Sequence, residues 1–387
     1  MSLDHFMYFD YQASTPVDPR VLEVMLPWFT ENYVNPHASY NFFKNKAFDA
    51  IEEARNQVAN LIAADSKEII FTSGATESNN LAIVGAVNFL KSSGKNKTHI
   101  ITCATEHKCV LEAFAFLKST GIDITILPVL PDGLLDLNLL SNSITEKTGL
   151  VSIMSANNEI GSIQPIKEIG ELCQKHGIIF HTDAVQAVGK MTMDVNDMYI
   201  DLLSISGHKI YASKGIGALY VRRKPRIRLQ PLFHGGGQER GMRSGTLATS
   251  LCIGLGKACF LAKTELEANK LHLNNLTQRL LKKLMDNISD IQLNGSLQKR
   301  IPGNLNFSIK NRNGALFLEK LSKELIFSTG SACASADVEP SHVLKAIGCP
   351  NQLARASFRL SIGQFTTLEE IDKASEKIIS LFSELKN

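Results

Sequence analysis

The stretch EIIFTSGATESNN, residues 68–80, joins an apolar run to a glycine turn and then to a helical pattern. Its first part is rich in β-branched residues and apolar without alternation, as expected for a strand buried on both faces. Gly74 allows the backbone to turn tightly, and the helical pattern begins at Ala75 and Thr76. A strand followed directly by a helix is the repeating unit of a parallel sheet, so this stretch predicts an α/β fold.

The same unit recurs through the first half of the chain. Further apolar runs are HIITC (99–103), LVSIM (150–154), IIFHT (178–182) and LLSIS (202–206). Helical patterns stand between them, near residues 108–118 and over IKEIGELCQKHG (166–177), which ends in glycine. The alternation predicts a large domain over residues 15–250, built on a mostly parallel sheet with helices on both faces.

The pattern changes after about Thr246. A long helical pattern covers residues 251–285, and a strand NLNFSI (304–309), a helix near 314–323, a strand near 356–361 and a closing helix from Thr367 follow it. We expect these segments, together with residues 1–14, to form a smaller α+β domain over 251–387 that carries a loop around Cys333.

The composition excludes several classes of protein. The 387 residues hold 41 Lys and Arg against 38 Asp and Glu, and the net charge of +3 gives no reason to expect a nucleic-acid partner. No apolar run approaches the roughly 20 residues that span a bilayer, and the start MSLDHF lacks the basic region of a signal peptide. The seven cysteines are scattered, without a CxxC pair or a metal-site spacing. We expect a soluble, cytoplasmic protein with free thiols and no bound metal.

Two stretches after predicted strands suit a charged ligand, at the sheet edge where α/β proteins bind their ligands. In TSGATESNN (72–80), the free N–H groups of the helix start suit a phosphate, and the Thr76 hydroxyl adds a donor. In HTDAVQ (181–186), Asp183 lies just past a buried strand and could pair with a protonated ring nitrogen. By themselves, both stretches are also compatible with ordinary helix caps.

Two further stretches carry a lysine and a histidine. In SISGHKIYASKG (204–215), Ser206, His208 and Lys209 follow a strand end, where a lysine can form a Schiff base or can be a solvated loop residue. In CATEHKCV (103–110), the His107 ring could stack on a flat cofactor, transfer a proton, or be a polar turn residue. A phosphate cradle, an acid for a ring nitrogen, a stacking ring and a Schiff-base lysine are together what pyridoxal 5′-phosphate requires.

The stretch FSTGSACASAD, residues 327–337, places Cys333 among small residues that would pack poorly in a core. A free cysteine is most often a small buried hydrophobic residue. The poor packing of its neighbours favours a mobile loop over residues 328–338 instead, which could carry a nucleophilic thiol to a buried cofactor and then outward.

Seven motifs resemble those of the cysteine desulfurases, which are pyridoxal-phosphate enzymes of fold type I. The motifs are TSGATESNN, TEHK (105–108), NNEIG (157–161), HTDAVQ, SGHK (206–209), YVRRKPRIRLQPLFHGGGQERGMRSGTL (220–247) and GSACAS (330–335). The resemblance covers essentially the whole chain and is nearest the housekeeping, iron–sulfur-assembly branch. It implies a transferase that converts L-cysteine to L-alanine and passes the sulfur, through a persulfide on Cys333, to an iron–sulfur scaffold or a thiolation relay protein.

The resemblance also implies a role for each candidate position. Lys209, Cys333 and His107 would be catalytic. The cofactor contacts would be Lys209 (Schiff base), Asp183 (pyridine nitrogen), Gln186 (ring hydroxyl), His107 (stacking), Asn158 (beside the ring) and, at the phosphate, Ala75, Thr76, Ser206 and His208, with Thr246 from the other subunit of a homodimer. The substrate contacts would be Arg359, at the carboxylate, with Asn158 and Asn35.

Other functions account for fewer of these residues. A selenocysteine lyase of the same fold would share every cofactor residue, so it stays the alternative. A plain aminotransferase would leave Cys333 without a role. HGGG (234–237) matches an esterase oxyanion motif, but the chain contains no G-x-S-x-G. A scaffold without a cofactor would explain neither Lys209 nor Cys333.

Overall fold

A computed structural model describes residues 6–37, 42–310, 313–329 and 339–385 of the chain. Its strands are β1 Met7–Tyr8, β2 Ile69–Thr72, β3 His99–Cys103, β4 Asp123–Leu127, β5 Thr148–Ser152, β6 Ile179–Asp183, β7 Leu202–Ser206, β8 Gly217–Val221, β9 Ile291–Leu293, β10 Asn304–Ile309, β11 Leu325–Ile326, β12 Ser328–Thr329 and β13 Ser357–Ser361. Its helices are α1 Pro19–Met25, α2 Pro27–Thr30, α3 Phe42–Leu61, α4 Ala75–Ser92, α5 Lys108–Ser119, α6 Leu137–Ser143, α7 Ile166–His176, α8 Thr249–Thr264, α9 Leu266–Asn287, α10 Gly314–Leu321, α11 His342–Ala346, α12 Asn351–Arg355 and α13 Leu368–Glu384. Among these helices, none is both long enough and apolar enough to cross a bilayer.

Seven strands form the larger sheet, in the order β2-β8-β7-β6-β5-β3-β4. Five neighbouring strands run parallel to one another: β7, β6, β5, β3 and β4. Strand β8 is antiparallel to both of its neighbours, β7 and β2. This confirms the predicted α/β class with a mostly parallel sheet. Every residue of β3, β5 and β7 is buried, as their apolar runs without alternation predicted.

Helices cover both faces of this sheet. Successive residues of a strand point to opposite sides, and in these strands the residues on both sides are buried. On one face, Ile100 and Leu150 pack against α4 and α5. On the other face, Ile101 and Val151 belong to a core that includes residues of α1, α3, α7 and α8. Since the covered strands run parallel, the residues that follow their carboxyl ends meet at one edge of the sheet.

A smaller unit is built on the antiparallel sheet β12-β13-β10-β9. Phe307, Phe317 and Phe358 pack together at its centre, against α9 and α13. At the start of the chain, β1 pairs in parallel with β11, and Phe9 lies in the same core. Packing thus joins the N-terminal segment to the C-terminal part of the chain.

The change from the larger core to the smaller one falls at Glu265, beyond the predicted boundary near residue 250. The helical pattern over 251–285 is two helices, α8 and α9, which meet at Glu265. Leu255 of α8 packs in the larger core, whereas Leu280 of α9 packs in the smaller one. An apolar helix face shows that a helix is buried but not which partner covers it, so the sequence pattern does not place this boundary.

A buried ion pair ties the loop after β8 to the larger sheet. The guanidinium of Arg55 meets the carboxylate of Glu239 through two contacts of 2.7 Å each, and the Phe71 N–H of β2 donates to the same carboxylate at 2.7 Å. Both charged side chains are nearly fully enclosed, at 4% and 3% exposure. This contact positions the turn Glu239–Gly241, which leads into the segment that carries Thr246.

We expect Glu239→Gln to lower the free energy of unfolding by about 3 kcal/mol, because it leaves the buried Arg55 charge without its carboxylate. Urea titration followed by fluorescence or circular dichroism measures the loss. The matched control is Asp197→Asn, which breaks an exposed ion pair with Lys167 and should cost much less, because solvent screens exposed charges. Equal losses in the two variants would contradict a stabilising role of the buried pair.

Candidate active site

The carboxyl edge of the parallel strands holds a cavity of about 590 Å³. Asp183 ends β6 and Ser206 ends β7, while His107 and Asn158 lie in the segments after β3 and β5. Ten of the positions singled out in the sequence line this cavity: Ala75, Thr76, His107, Asn158, Asp183, Gln186, Ser206, His208, Lys209 and Arg359. Four of the five parallel strands therefore contribute side chains to one space.

The N-terminus of α4 opens into this cavity. Its N-cap is Gly74, which has φ +150° and no side chain to cap the helix. The N–H groups of the first turn have no partners within the helix, so they are available to an anion. A Cβ atom at Gly217 would lie 2.7 Å from the Gly74 Cα and 2.5 Å from the Ile205 carbonyl oxygen, so the close approach of β8 to this turn requires glycine there as well.

Asp183 places a buried carboxylate in the cavity wall. The side chain accepts hydrogen bonds from the Asn79 amide at 2.7 Å and from the Val185 N–H at 3.0 Å. Burial raises the pKa of Asp183 even though both donors oppose the shift. A cationic group in the cavity would restore the preference for the ionised carboxylate.

Lys209 lies in the short 3₁₀ turn Gly207–Lys209, directly after β7. Its amine donates to the carbonyl oxygens of Gln12 at 2.6 Å and Ala13 at 2.7 Å. Burial, aided by the charge of Arg359, lowers the pKa of Lys209 to about 8. The amine is therefore far easier to deprotonate than an ordinary lysine, as a Schiff-base nucleophile requires.

His107 is the N-cap of α5, and its ring lines the cavity. The Cys109 N–H donates to Nδ1 at 3.2 Å, and the Cys109 thiol lies 3.0 Å from the same nitrogen. Burial lowers the pKa of His107, and burial raises the pKa of the Cys109 thiol to about 11, so the thiol keeps its proton. Because Nδ1 accepts these donors, the neutral ring carries its proton on Nε2.

Arg359 of β13 brings a charge from the smaller unit to the cavity. Nη2 contacts Asp10 Oδ1 at 2.5 Å and donates to Ser328 Oγ at 2.6 Å, while Nη1 donates to the Asn158 carbonyl at 2.7 Å. The Nε atom is buried and has no hydrogen-bond partner. The guanidinium thus has donor capacity left for an anion in the cavity.

Two predicted positions that the structure describes do not line the cavity, and a third lies outside the described residues. Asn35 is exposed, and its side chain accepts a hydrogen bond from the His37 N–H at 2.9 Å. Thr246 is exposed on the segment before α8. Cys333 and most of the predicted mobile loop, residues 330–338, lie outside the described residues. The roles predicted for these positions stay predictions.

Two buried side chains next to the cavity, Asn79 and Glu106, were not predicted from the sequence. Asn79 is one helical turn beyond Thr76, so helical spacing could have placed it beside Asp183, which it contacts. Glu106 accepts a hydrogen bond from the Met154 N–H at 2.6 Å, and burial raises its pKa to about 8. Its position next to His107 in the sequence gave no signal that it would be enclosed.

These groups fit pyridoxal 5′-phosphate by their chemistry. The uncapped helix start suits a phosphate, the buried Asp183 suits a protonated ring nitrogen, and Lys209 has a readily deprotonated amine. Burial keeps His208 neutral by lowering its pKa to about 4, so it can serve as a polar neighbour of the phosphate. Within the described part of the chain, no three His, Cys, Asp or Glu side chains gather as a metal site.

Comparison with known proteins finds close relatives along the whole chain. A family model described as aminotransferase class-V matches residues 7–374. The curated "Cysteine desulfurase IscS" of Rickettsia bellii (strain OSU 85-389) is 52% identical over 381 residues, covering 98% of this chain and 92% of the relative. A solved structure described as "NIFS-LIKE PROTEIN" has a TM-score of 0.90 and 35% identity, covering 98% of this chain and 100% of that chain. Another solved structure, "SspA in complex with cysteine", has a TM-score of 0.82 and 41% identity, covering 93% of this chain and 100% of that chain.

Proposed function

Since the chain belongs to the aminotransferase class-V family and is a cysteine desulfurase, we propose that Lys209 holds pyridoxal 5′-phosphate in this cavity and that Cys333 accepts the sulfur of L-cysteine. One observation carries the assignment of the cavity. The Lys209 amine, with its lowered pKa, and the buried Asp183 carboxylate line the same space at the ends of adjacent strands. The resemblance found in the sequence is confirmed at the level of the family.

Different residues around this cavity would contact different parts of the cofactor. The helix start at Ala75 and Thr76, with Ser206 and His208, would hold the phosphate. Asp183 would keep the pyridine nitrogen protonated, Gln186 would face the ring hydroxyl, and His107 would stack on the ring, with Asn158 beside it. When bound, the cofactor supplies an electron sink that makes the Cβ–S bond of the substrate breakable.

The substrate carboxylate would bind Arg359, near Asn158, with Asn35 contributing from the segment before α3. A planar guanidinium matches the two carboxylate oxygens. Asp10 and Ser328 already hold Arg359 in place, so the side chain is oriented before the substrate arrives. This arrangement would select α-amino acids over simple amines.

Replacing Arg359 by lysine should raise KM for L-cysteine at least about tenfold and leave the cofactor absorbance unchanged, since one point charge replaces a two-pronged contact. Steady-state assays of alanine formation measure the change. Cysteamine, which lacks the carboxylate, is the control substrate: the parent enzyme should use it poorly, and the variant should use it no worse. Equal use of cysteine and cysteamine by the parent enzyme would overturn the assignment of Arg359.

Three side chains would carry out the proton and sulfur transfer. Lys209, once its nitrogen is released by the substrate amine, would move the proton at the substrate α-carbon. Cys333 would attack the substrate sulfur as a thiolate, so that an S–S bond forms while the Cβ–S bond breaks. His107, with its proton on Nε2, would supply or take up a proton at the reacting carbon or thiol. The balance is one thiol and one cysteine converted to one persulfide and one alanine.

The assembly and destination of the sulfur are part of the same proposal. The enzyme would be a homodimer in which Thr246 reaches the phosphate site of the partner subunit, because Thr246 is exposed and outside its own cavity lining. The persulfide would pass to an iron–sulfur scaffold or to a thiolation relay protein in the cytoplasm. No contact with nucleic acid or membrane is part of this function.

A direct assay tests the proposal. Purified protein with pyridoxal 5′-phosphate should convert L-cysteine to equal amounts of L-alanine and, under reducing conditions, sulfide. L-selenocysteine as a competing substrate separates the alternative function. A kcat/KM for selenocysteine far above that for cysteine would favour a selenocysteine lyase, and no alanine from either substrate would contradict both functions.

A further inference from the structure

Lys190 lies behind the cavity wall and reaches one of the proposed cofactor contacts. Its Nζ donates to Gln186 Oε1 at 2.8 Å. On the other side of the same amide, Gln186 Nε2 donates to the Gln12 carbonyl oxygen at 3.1 Å. Gln186 is almost fully buried, with 3% of its surface exposed, so its amide depends on these partners.

The two contacts define the orientation of the Gln186 amide. An ammonium or amine nitrogen can donate to Oε1, and a carbonyl oxygen can only accept from Nε2. In the flipped orientation, Nε2 would face the Lys190 donor and Oε1 would face the Gln12 carbonyl, so both hydrogen bonds would be lost. Lys190 can donate to Oε1 in its charged and in its neutral form. In both forms the flipped amide would place Oε1 against the Gln12 carbonyl oxygen, where neither atom can donate.

The Gln12 carbonyl oxygen receives two donors from the cavity wall. The Lys209 amine contacts it at 2.6 Å, and Gln186 Nε2 contacts it at 3.1 Å. The N–H groups of Gln186 are thus directed to the space beside Lys209, whereas Oε1 faces Lys190. Burial, followed by the charges of Lys209 and Arg359, lowers the pKa of Lys190 to about 7. A lowered pKa of this kind is expected for a lysine that is enclosed near other cations.

We propose that Lys190 is a positioning residue for the cofactor: it holds the Gln186 amide so that an N–H group, and not the carbonyl, is presented to the ring oxygen of pyridoxal 5′-phosphate. This inference rests on the proposed function, since it needs the cofactor in this cavity. Lys190 itself is not among the residues that line the cavity.

The test compares Lys190→Met, Gln186→Met and the double variant in the complete chain loaded with pyridoxal 5′-phosphate. Two readouts are the Kd of the cofactor and the pH midpoint of its visible absorbance change. Lys190→Met should weaken cofactor binding about tenfold, since it removes the support for one hydrogen bond. It should also move the midpoint upward by about one unit, because a ring oxygen without the N–H donor is more basic.

The double variant decides how Lys190 acts. If Lys190 acts through Gln186, Lys190→Met changes nothing further once Gln186 is methionine. An equal effect in both backgrounds would show that Lys190 acts directly by its charge, which overturns the proposal, and so would no effect in either. Lys97→Met is the matched control, because Lys97 also donates a single hydrogen bond to a carbonyl, 3.0 Å from Glu146 O, but outside the cavity.

A second variant covers the case in which Lys190→Met does not fold. Gln186→Glu keeps an acceptor for Lys190 and removes the N–H donor, so it should weaken cofactor binding by at least the same factor. Normal cofactor affinity and a normal midpoint in Gln186→Glu would overturn the proposal. Failure of the proposed function has a different signature, since the parent protein itself would then show no visible cofactor absorbance.

Discussion

Replacing Lys209 by alanine is expected to remove the visible absorbance of covalently held cofactor and to lower kcat for alanine formation by at least about 10⁴-fold. The amine is the proposed attachment point and also the group proposed to move the proton at the substrate α-carbon, so this variant loses both roles. Absorbance spectra of the purified variant with added pyridoxal 5′-phosphate, together with single-turnover alanine assays, measure the two effects.

The pH dependence of cofactor attachment gives this assignment a second test. Attack on the cofactor aldehyde needs the neutral amine, and burial lowers the pKa of Lys209 to about 8. The rate of cofactor uptake by protein stripped of cofactor should therefore rise as pH increases through about 8 and then level off. Lys167→Ala, which alters an exposed lysine of α7, is the control and should behave as the parent. A normal absorbance band in Lys209→Ala would contradict the assignment.

Replacing Cys333 by serine is expected to leave cofactor binding intact and to lower sulfide release at least about 10³-fold, because a hydroxyl cannot accept sulfur as a persulfide. The variant should still change its absorbance when L-cysteine is added. Persulfide on the parent protein, and its absence from the variant, can be followed by alkylation and mass spectrometry after cysteine is supplied without reductant.

Two other cysteines make this experiment specific. Cys349 is partly buried and lies outside the cavity lining, so Cys349→Ser should release sulfide as the parent does. Cys109 lines the cavity, but burial raises the pKa of its thiol to about 11, which makes it a poor nucleophile near neutral pH. Persulfide found on Cys109 rather than Cys333, or sulfide release from Cys333→Ser near the parent rate, would overturn the assignment.

The sequence could predict the parallel sheet and most of the cavity because both depend on local order. A buried strand shows itself as a run such as LLSIS, and the residues after it lie at its carboxyl end whatever the rest of the fold does. Asp183, Ser206 and Lys209 could therefore be placed at one edge of the sheet from the sequence alone. Their chemistry and the whole-chain resemblance together predicted the family.

Contacts between distant segments could not be predicted in this way. Arg359 meets Asp10, and Lys209 meets the Gln12 carbonyl, across 349 and 197 residues. The Gln186 amide could accept from Lys190 or from any other nearby donor, and the sequence contains no signal that chooses between them. Such pairings depend on how the smaller unit and the N-terminal segment are placed against the sheet.

Local sequence patterns were enough to predict the buried strands and the helices next to the cavity, the residue types at the strand ends and the family of reactions to which they belong. The tertiary structure decided that α8 packs with the larger core, that the Lys209 amine is enclosed enough to lower its pKa and that Arg359 shares the cavity with Asp183. The reason is physical: secondary structure and strand-end positions follow from local hydrophobic periodicity, whereas burial, pKa and hydrogen-bond partners follow from surfaces that meet only when the chain is folded.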